Sequence, residues 1–289
     1  MNTHHHRTIH HFAVSLRSLA LYPADTPTSE ADVMTTVRFT QPPVREVSLT
    51  VLFDPVEGVL AADVGDLLGR LRPEYPKVAE RSAMPPWNEI NVPGIKIIPD
   101  NEAPPYCWWI SNEKNDRLIR FQFDRLICSW RYTPGGNPYP EYRALLAELQ
   151  GLLNVGNDWL ESRIVDSDLV RSIRRVQIDY INQIDLPPAD LLHGLITEWS
   201  HERGHTKFSE SSLVAAQWVV DDDIAVGQQT TMKVDPDGVE GSRLSLISTT
   251  DIRDDESYVG GFDRIHDRVE QLFLSATSED MHLKWGKRS

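Results

Sequence analysis

The stretch Ser200-His201-Glu202-Arg203-Gly204-His205 contains the spacing H-E-x-x-H. On a helix this sets two imidazoles one turn apart with a glutamate beside them. That is the zinc-hydrolase arrangement, with His201 and His205 as metal ligands and Glu202 as general base. Three features weigh against it. Gly204 falls where a helix more often ends, and an end there removes the fixed offset between the histidines. At about 100° per residue, Leu192, Leu195, Ile196 and Trp199 form the apolar face, and both histidines fall opposite. No H-x-x-G-x-x-H extension follows, and Glu210, Glu240 and Asp251 stand in turn or strand contexts. Other catalytic signatures are missing: no G-x-S-x-G, no Walker A, and no G-x-G-x-x-G opening a helix. The run DDD at 221–223 reads as a solvated acidic turn. The expectation is no cofactor, no metal and no catalytic residue, with the zinc hydrolase as the alternative.

Composition narrows the function classes. The 289 residues carry 43 acidic against 29 basic side chains, a net charge of −14. Such a field repels a phosphate backbone, which is held by a local excess of Lys and Arg. Nucleic acid is therefore not the expected partner, and a curved sheet gripping DNA is a further alternative only. The basic run RSIRR at 171–175 reads as a solvated surface. No apolar run approaches the roughly 20 residues a membrane helix needs, so the chain is read as soluble. Cys107 and Cys128 have no partner at metal-ligand spacing, and are expected as buried free thiols in the cytoplasm. Residues 1–33 differ from the rest: five of ten histidines fall at positions 4–11, and Arg17 interrupts the one apolar stretch. They read as a flexible leader, or as sequence before a start at Met34.

The remainder supplies the elements that must position any site. Period-2 and turn patterns predict strands at 44–53, 105–112, 117–123, 125–132, 174–184, 212–220, 225–234 and 242–252. Helical spacing predicts helices at 60–72, 139–153, 187–204 and 257–274, and a short capped one at 277–286. The capping-box spacing there is Thr277 to Asp280, and Gly286 ends it. The stretch 73–86 reads as turns and loop. The expected fold is α+β with two similar halves, 34–165 and 166–289. Each runs strand, helix, antiparallel strands, helix, in the helix-on-curved-sheet manner of TATA-binding-protein-like or Bet v 1-like domains. The two could join into one continuous curved sheet.

Four segments carry a family resemblance. PPVREVSLTVLFDP (42–55), IRFQFDRLICSWRYTPGGNPYPEYRALL (119–146), VQIDYINQI (176–184) and TSEDMHLKWG (277–286) resemble an uncharacterised bacterial family of about this size, sporadically distributed among genomes. Its motifs are Asp-Arg, Trp-Arg, Tyr-Pro-x-Tyr and Tyr-Ile-Asn. The resemblance implies a soluble bacterial protein and no established reaction. Sporadic distribution points to mobile or defence-related loci.

The same motifs supply the candidate binding residues. In DRLICSWR, alternation puts Leu126, Cys128 and Trp130 on one face and Arg125, Ile127, Ser129 and Arg131 on the other. Arg125 and Arg131 are candidates for an anionic ligand, against an ion pair with a carboxylate such as Asp179. Tyr180 and Asn182 share a face and either line a pocket or satisfy buried backbone groups. Tyr106, Trp108, Trp109, Trp130 and Trp218 are pocket candidates, against an ordinary aromatic core. The expected function is a non-catalytic binding protein for an unidentified protein or small molecule.

Overall fold

The computed structural model describes residues 38–56, 61–85, 87, 106–164, 167–186, 191, 215–220, 227–238 and 241–288. Alternation in the central strand sets the architecture. β2 (Val44–Phe53) turns Val47, Leu49, Val51 and Phe53 to one side, all at 0% exposure. Glu46, Ser48 and Thr50 face the other way. β-branched and aliphatic residues at every second position suit a pleated surface with one dry face. Around β2, nine strands hydrogen-bond into one antiparallel sheet. They are β3 (Lys77–Ser82), β4 (Tyr106–Ser111), β5 (Arg117–Gln122), β6 (Arg125–Arg131), β2, β7 (Ile173–Ile184), β10 (Gly241–Asp251), β9 (Gln229–Asp237) and β8 (Ala216–Val220), in that order across the sheet. A two-stranded ribbon pairs β1 (Arg38–Phe39) with β11 (Lys287–Arg288).

The helices lie on the dry face. α1 (Val64–Leu71) buries Val64, Leu67 and Leu71, and α2 (Tyr142–Glu161) buries Leu145, Leu149, Leu153 and Trp159. α2 covers β6 and β2, and α3 (Tyr258–Ala276) covers β7 and β10. Phe262, Ile265 and Val269 of α3 join the same buried core as the leucines of α2. Gly261 lets α3 approach: a Cβ there would stand 2.6 Å from Ile252 Cδ1 and 3.2 Å from Val176 Cγ2. The short α4 (Glu279–Lys284) closes the chain before Gly286, at φ 71°.

The expected two-halved fold, TATA-binding-protein-like or Bet v 1-like, is replaced by this single large antiparallel sheet. β2 and β7 pair along their length, from Val44 opposite Asn182 to Phe53 opposite Ile173, with register shifts near each end. Backbone hydrogen bonds therefore run through the position where two separate sheets would each have shown an edge, a costly arrangement. The second helix on which a repeated order depended, at 187–204, lies outside the described residues apart from Leu191.

Other elements differ in detail. The stretch read as loop contains β3, an edge strand with exposed Lys77, Val78, Glu80 and Arg81 and so no alternation to detect. α2 runs to Glu161, because Trp159 and Leu160 continue its buried face past Leu153. Ser278, and not Thr277, caps α4 by accepting from Met281 N at 3.3 Å. Thr277 Oγ1 instead bonds Phe273 O at 2.6 Å and stands 2.7 Å from His282 Nε2.

Candidate functional site

The second face of the sheet is covered by none of the described helices, and its polar side chains are gathered at the centre. Register places Trp109, Arg120, Ile127, Thr50 and Gln177 in one row across β4, β5, β6, β2 and β7. The adjoining row is Ser111, Leu118, Ser129, Ser48 and Asp179. Neighbouring strands lie about 4.8 Å apart, so these side chains form one contiguous patch.

Arg120 is the hub. Its Nη2 donates to Glu46 Oε1 at 2.9 Å, reaching past β6 to β2. Its guanidinium carbon sits 4.9 Å from the centre of the Trp109 ring, a cation–π contact. Its Nε is buried without a hydrogen-bond partner among the described residues. Ser48 Oγ and Ser129 Oγ share a 2.8 Å hydrogen bond, and both side chains are buried. Asp179 accepts from Gln177 Nε2 at 2.9 and 3.0 Å. Burial pushes the Asp179 carboxyl up to about 6, with the Gln177 bond and the Arg120 charge opposing the rise. The patch thus holds two carboxylates, a part-buried guanidinium whose Nε is unpartnered among the described residues, two buried hydroxyls and an aromatic face. Among the described residues, Ser48 and Ser129 bond each other and Ser48 also reaches Glu46; the two described histidines, His266 and His282, lie on α3 and α4. The chemistry these described side chains offer is recognition by hydrogen bonds and charge.

The residues picked out in the sequence are distributed differently. Arg125 makes a two-pronged pair with Asp124, Nε and Nη2 each at 2.8 Å from a separate oxygen. Arg125 Nη2 also donates to Pro85 O, and Gln122 clasps Met84 N and O at 2.7 and 2.9 Å. Trp87 N donates to Asp124 at 3.2 Å. This end of β6 therefore anchors the segment around 84–87 to the sheet. Arg131 Nε donates to Asn115 O at 2.7 Å, tying β6 to the β4–β5 hairpin. Trp130 is buried on the helix side and donates to Asn137 O at 3.1 Å. Trp108 is buried beside Phe121, ring centres 6.1 Å apart. Tyr180 shares a 3.1 Å hydroxyl contact with Tyr139, and burial pushes its phenol well up. Asn182 Nδ2 donates to Leu244 O at 3.3 Å. Trp218 packs at the β8 edge, and Tyr106 opens β4 exposed. These aromatics do not converge: Trp108 and Trp130 face the helices, while Trp109 faces the polar patch. His201, Glu202, His205, the run at 221–223 and the leader lie outside the described residues.

On the helix side, a cavity of about 10 Å³ is lined by Leu67, Leu71, Ile119, Phe121, Leu126, Leu152, Gly156 and Leu169. It is apolar and holds at most one water, which would find no partners there. Sequence reasoning missed Glu46, Ser48 and Arg120. The available signal was polar residues alternating with aliphatic ones in a central strand, where a one-sided core leaves the other face to be explained. Both cysteines are free and buried, Cys128 towards the helices and Cys107 away from them. No described helix is long and apolar enough to cross a membrane. No family model, curated protein or solved structure matches the chain.

Proposed function

We propose that this chain is a non-catalytic binding protein that receives a polar small molecule or partner segment on the Trp109–Arg120–Glu46–Asp179 face of its sheet. The observation that carries the reading is Arg120: part-buried, stacked on Trp109 and with its Nε unpartnered among the described residues, in the middle of a face with no described helix on it. A buried donor without an acceptor costs about 1–3 kcal/mol, and an acceptor on a ligand would recover that. The ligand class is one with a carboxylate or similar acceptor for Arg120 and a flat group for Trp109. Two other arginines of this face are paired with carboxylates, Arg125 with Asp124 and Arg175 with Asp251 at 2.6 Å. That supports a compact ligand over a nucleic-acid backbone, which needs a run of free cations. The family resemblance and a bacterial cytoplasmic setting accompany this reading as proposals.

The test is calorimetric screening of the full chain against small carboxylates and short acidic peptides, beside Arg120→Gln and Trp109→Phe. Binding to the parent that weakens about tenfold or more in Arg120→Gln, as loss of a charged hydrogen bond implies, is the expected result. Ligands bound equally by parent and both variants would place recognition elsewhere.

A further inference from the structure

A second group of side chains, on the opposite face, has the geometry of a metal site. α3 presents His266 and Glu270 one turn apart, with Asp267 between them. One ligand atom from each of the three lies within 4.8 Å of the other two. His266 Nε2 faces Glu270 Oε1 at 3.8 Å, and Nδ1 faces Asp267 Oδ1 at 3.7 Å. Both separations exceed hydrogen-bonding distance, yet the imidazole is buried, at 8% exposure. Its ring is fixed by a stack on Tyr142, centres 3.9 Å apart and planes 18° apart. Tyr142 is in turn held by its hydroxyl, which donates to Asp263 Oδ1 at 2.7 Å. Arg143 pins the same Asp263 oxygen at 2.7 Å. The result is a rigid, preoriented imidazole aimed at a carboxylate across a gap.

The gap has a specific size. Two ligands at about 2.1 Å from a tetrahedral zinc stand about 3.4 Å apart, a few tenths of an ångström less than the observed separation. We infer that His266 Nε2 and Glu270 together hold a divalent transition-metal ion, with the ring fixed by its stack on Tyr142 and Asp267 on its Nδ1 side. Asp267 stands on the Nδ1 side of the ring, at 3.7 Å, where a carboxylate commonly orients a ligating histidine once it closes to hydrogen-bonding distance. An imidazole–carboxylate donor pair suits zinc and its first-row neighbours over magnesium or calcium, which prefer oxygen alone. Water or a partner's group would complete the coordination. This site is separate from the Arg120 face of the sheet.

The test uses the full chain with His4, His5, His6, His10, His11, His193, His201 and His205 each changed to Asn, so that these histidines do not compete. Zinc is titrated by calorimetry, and cobalt(II) by its visible absorption. One equivalent is expected in this background. Glu270→Gln should abolish it and Asp267→Asn weaken it about 10–100-fold, the usual effect of losing the group that orients a ligand. Glu270 is half-exposed, so its variant keeps the fold, and thermal melting verifies that. His266→Asn serves as a second check where it melts cooperatively. Absence of stoichiometric zinc, or equal affinity in the Glu270→Gln variant, overturns the assignment.

Discussion

Asp179 is one atom group whose environment has a measurable consequence. Its carboxyl is raised from 3.8 to about 6 by burial. The folded state therefore holds the proton more tightly than the unfolded chain. Its contribution to stability is complete below about pH 4 and is lost as pH rises through about 6. At about 1.4 kcal/mol per unit, the loss is on the order of 2–3 kcal/mol. Asp179→Asn carries no titrating group, so its denaturant midpoint should fall less than the parent's between pH 4 and 7. Identical pH profiles for parent and variant would contradict the environment described for Asp179. Glu270 acts in the same direction up to about 7, whereas His266, held down to about 4, removes stability as pH falls from 6.5. Only difference profiles against the single variant isolate Asp179.

Elements are positioned by close approaches that residue lists do not reveal. α3 meets β7 and β10 at Gly261, where an added methyl would collide with Ile252 and press on Val176. Gly261→Ala improves intrinsic helix propensity by about 1 kcal/mol. Overpacking costs about 1–3 kcal/mol and should outweigh it. The expected outcome is a lower melting temperature for Gly261→Ala, with Gly260→Ala as the comparison. At Gly260 the nearest atom to an added Cβ is Glu256 Cγ at 3.3 Å, part of a flexible side chain. A melting temperature raised in Gly261→Ala would mean that α3 sits farther from the sheet than described. The same element scale explains β3. Its charged, exposed sequence gives no periodic signal, yet its ladder to β4 from Lys77–Ser111 to Ser82–Tyr106 makes it the sheet's edge. Charged residues on an edge also discourage pairing with another chain.

At the scale of the whole molecule, the β2–β7 ladder joins strands from both parts of the chain, and one buried core spans them. A seamless core of this kind unfolds cooperatively. A single denaturant transition is expected when followed by tryptophan fluorescence and by far-ultraviolet circular dichroism. Leu49→Ala, at 0% exposure in the central strand, should lower the whole transition by about 2–5 kcal/mol. Two resolved transitions, only one of them moved by Leu49→Ala, would show that the parts on either side of β2–β7 unfold separately.

Strand and helix identity was largely legible in local pattern, because alternation and helical spacing are set by neighbours a few residues away. Val47, Leu49, Val51 and Phe53 announce their shared face without any partner. Alternation likewise separates Trp130 from Arg131. Sheet order was not legible in that way. That β2 pairs with β7, and that Arg120 reaches Glu46 across an intervening strand, depend on contacts between residues 74 or more positions apart. Such contacts leave no periodic trace. Arg125 illustrates the limit: its face follows from alternation, but its capture by Asp124 and the carbonyl of Pro85 follows from where the segment around 84–87 crosses the sheet. The sequence alone determined which residues alternate and turn. The tertiary structure alone decided which polar side chains meet, because burial and charge pairing arise only once distant strands are brought side by side.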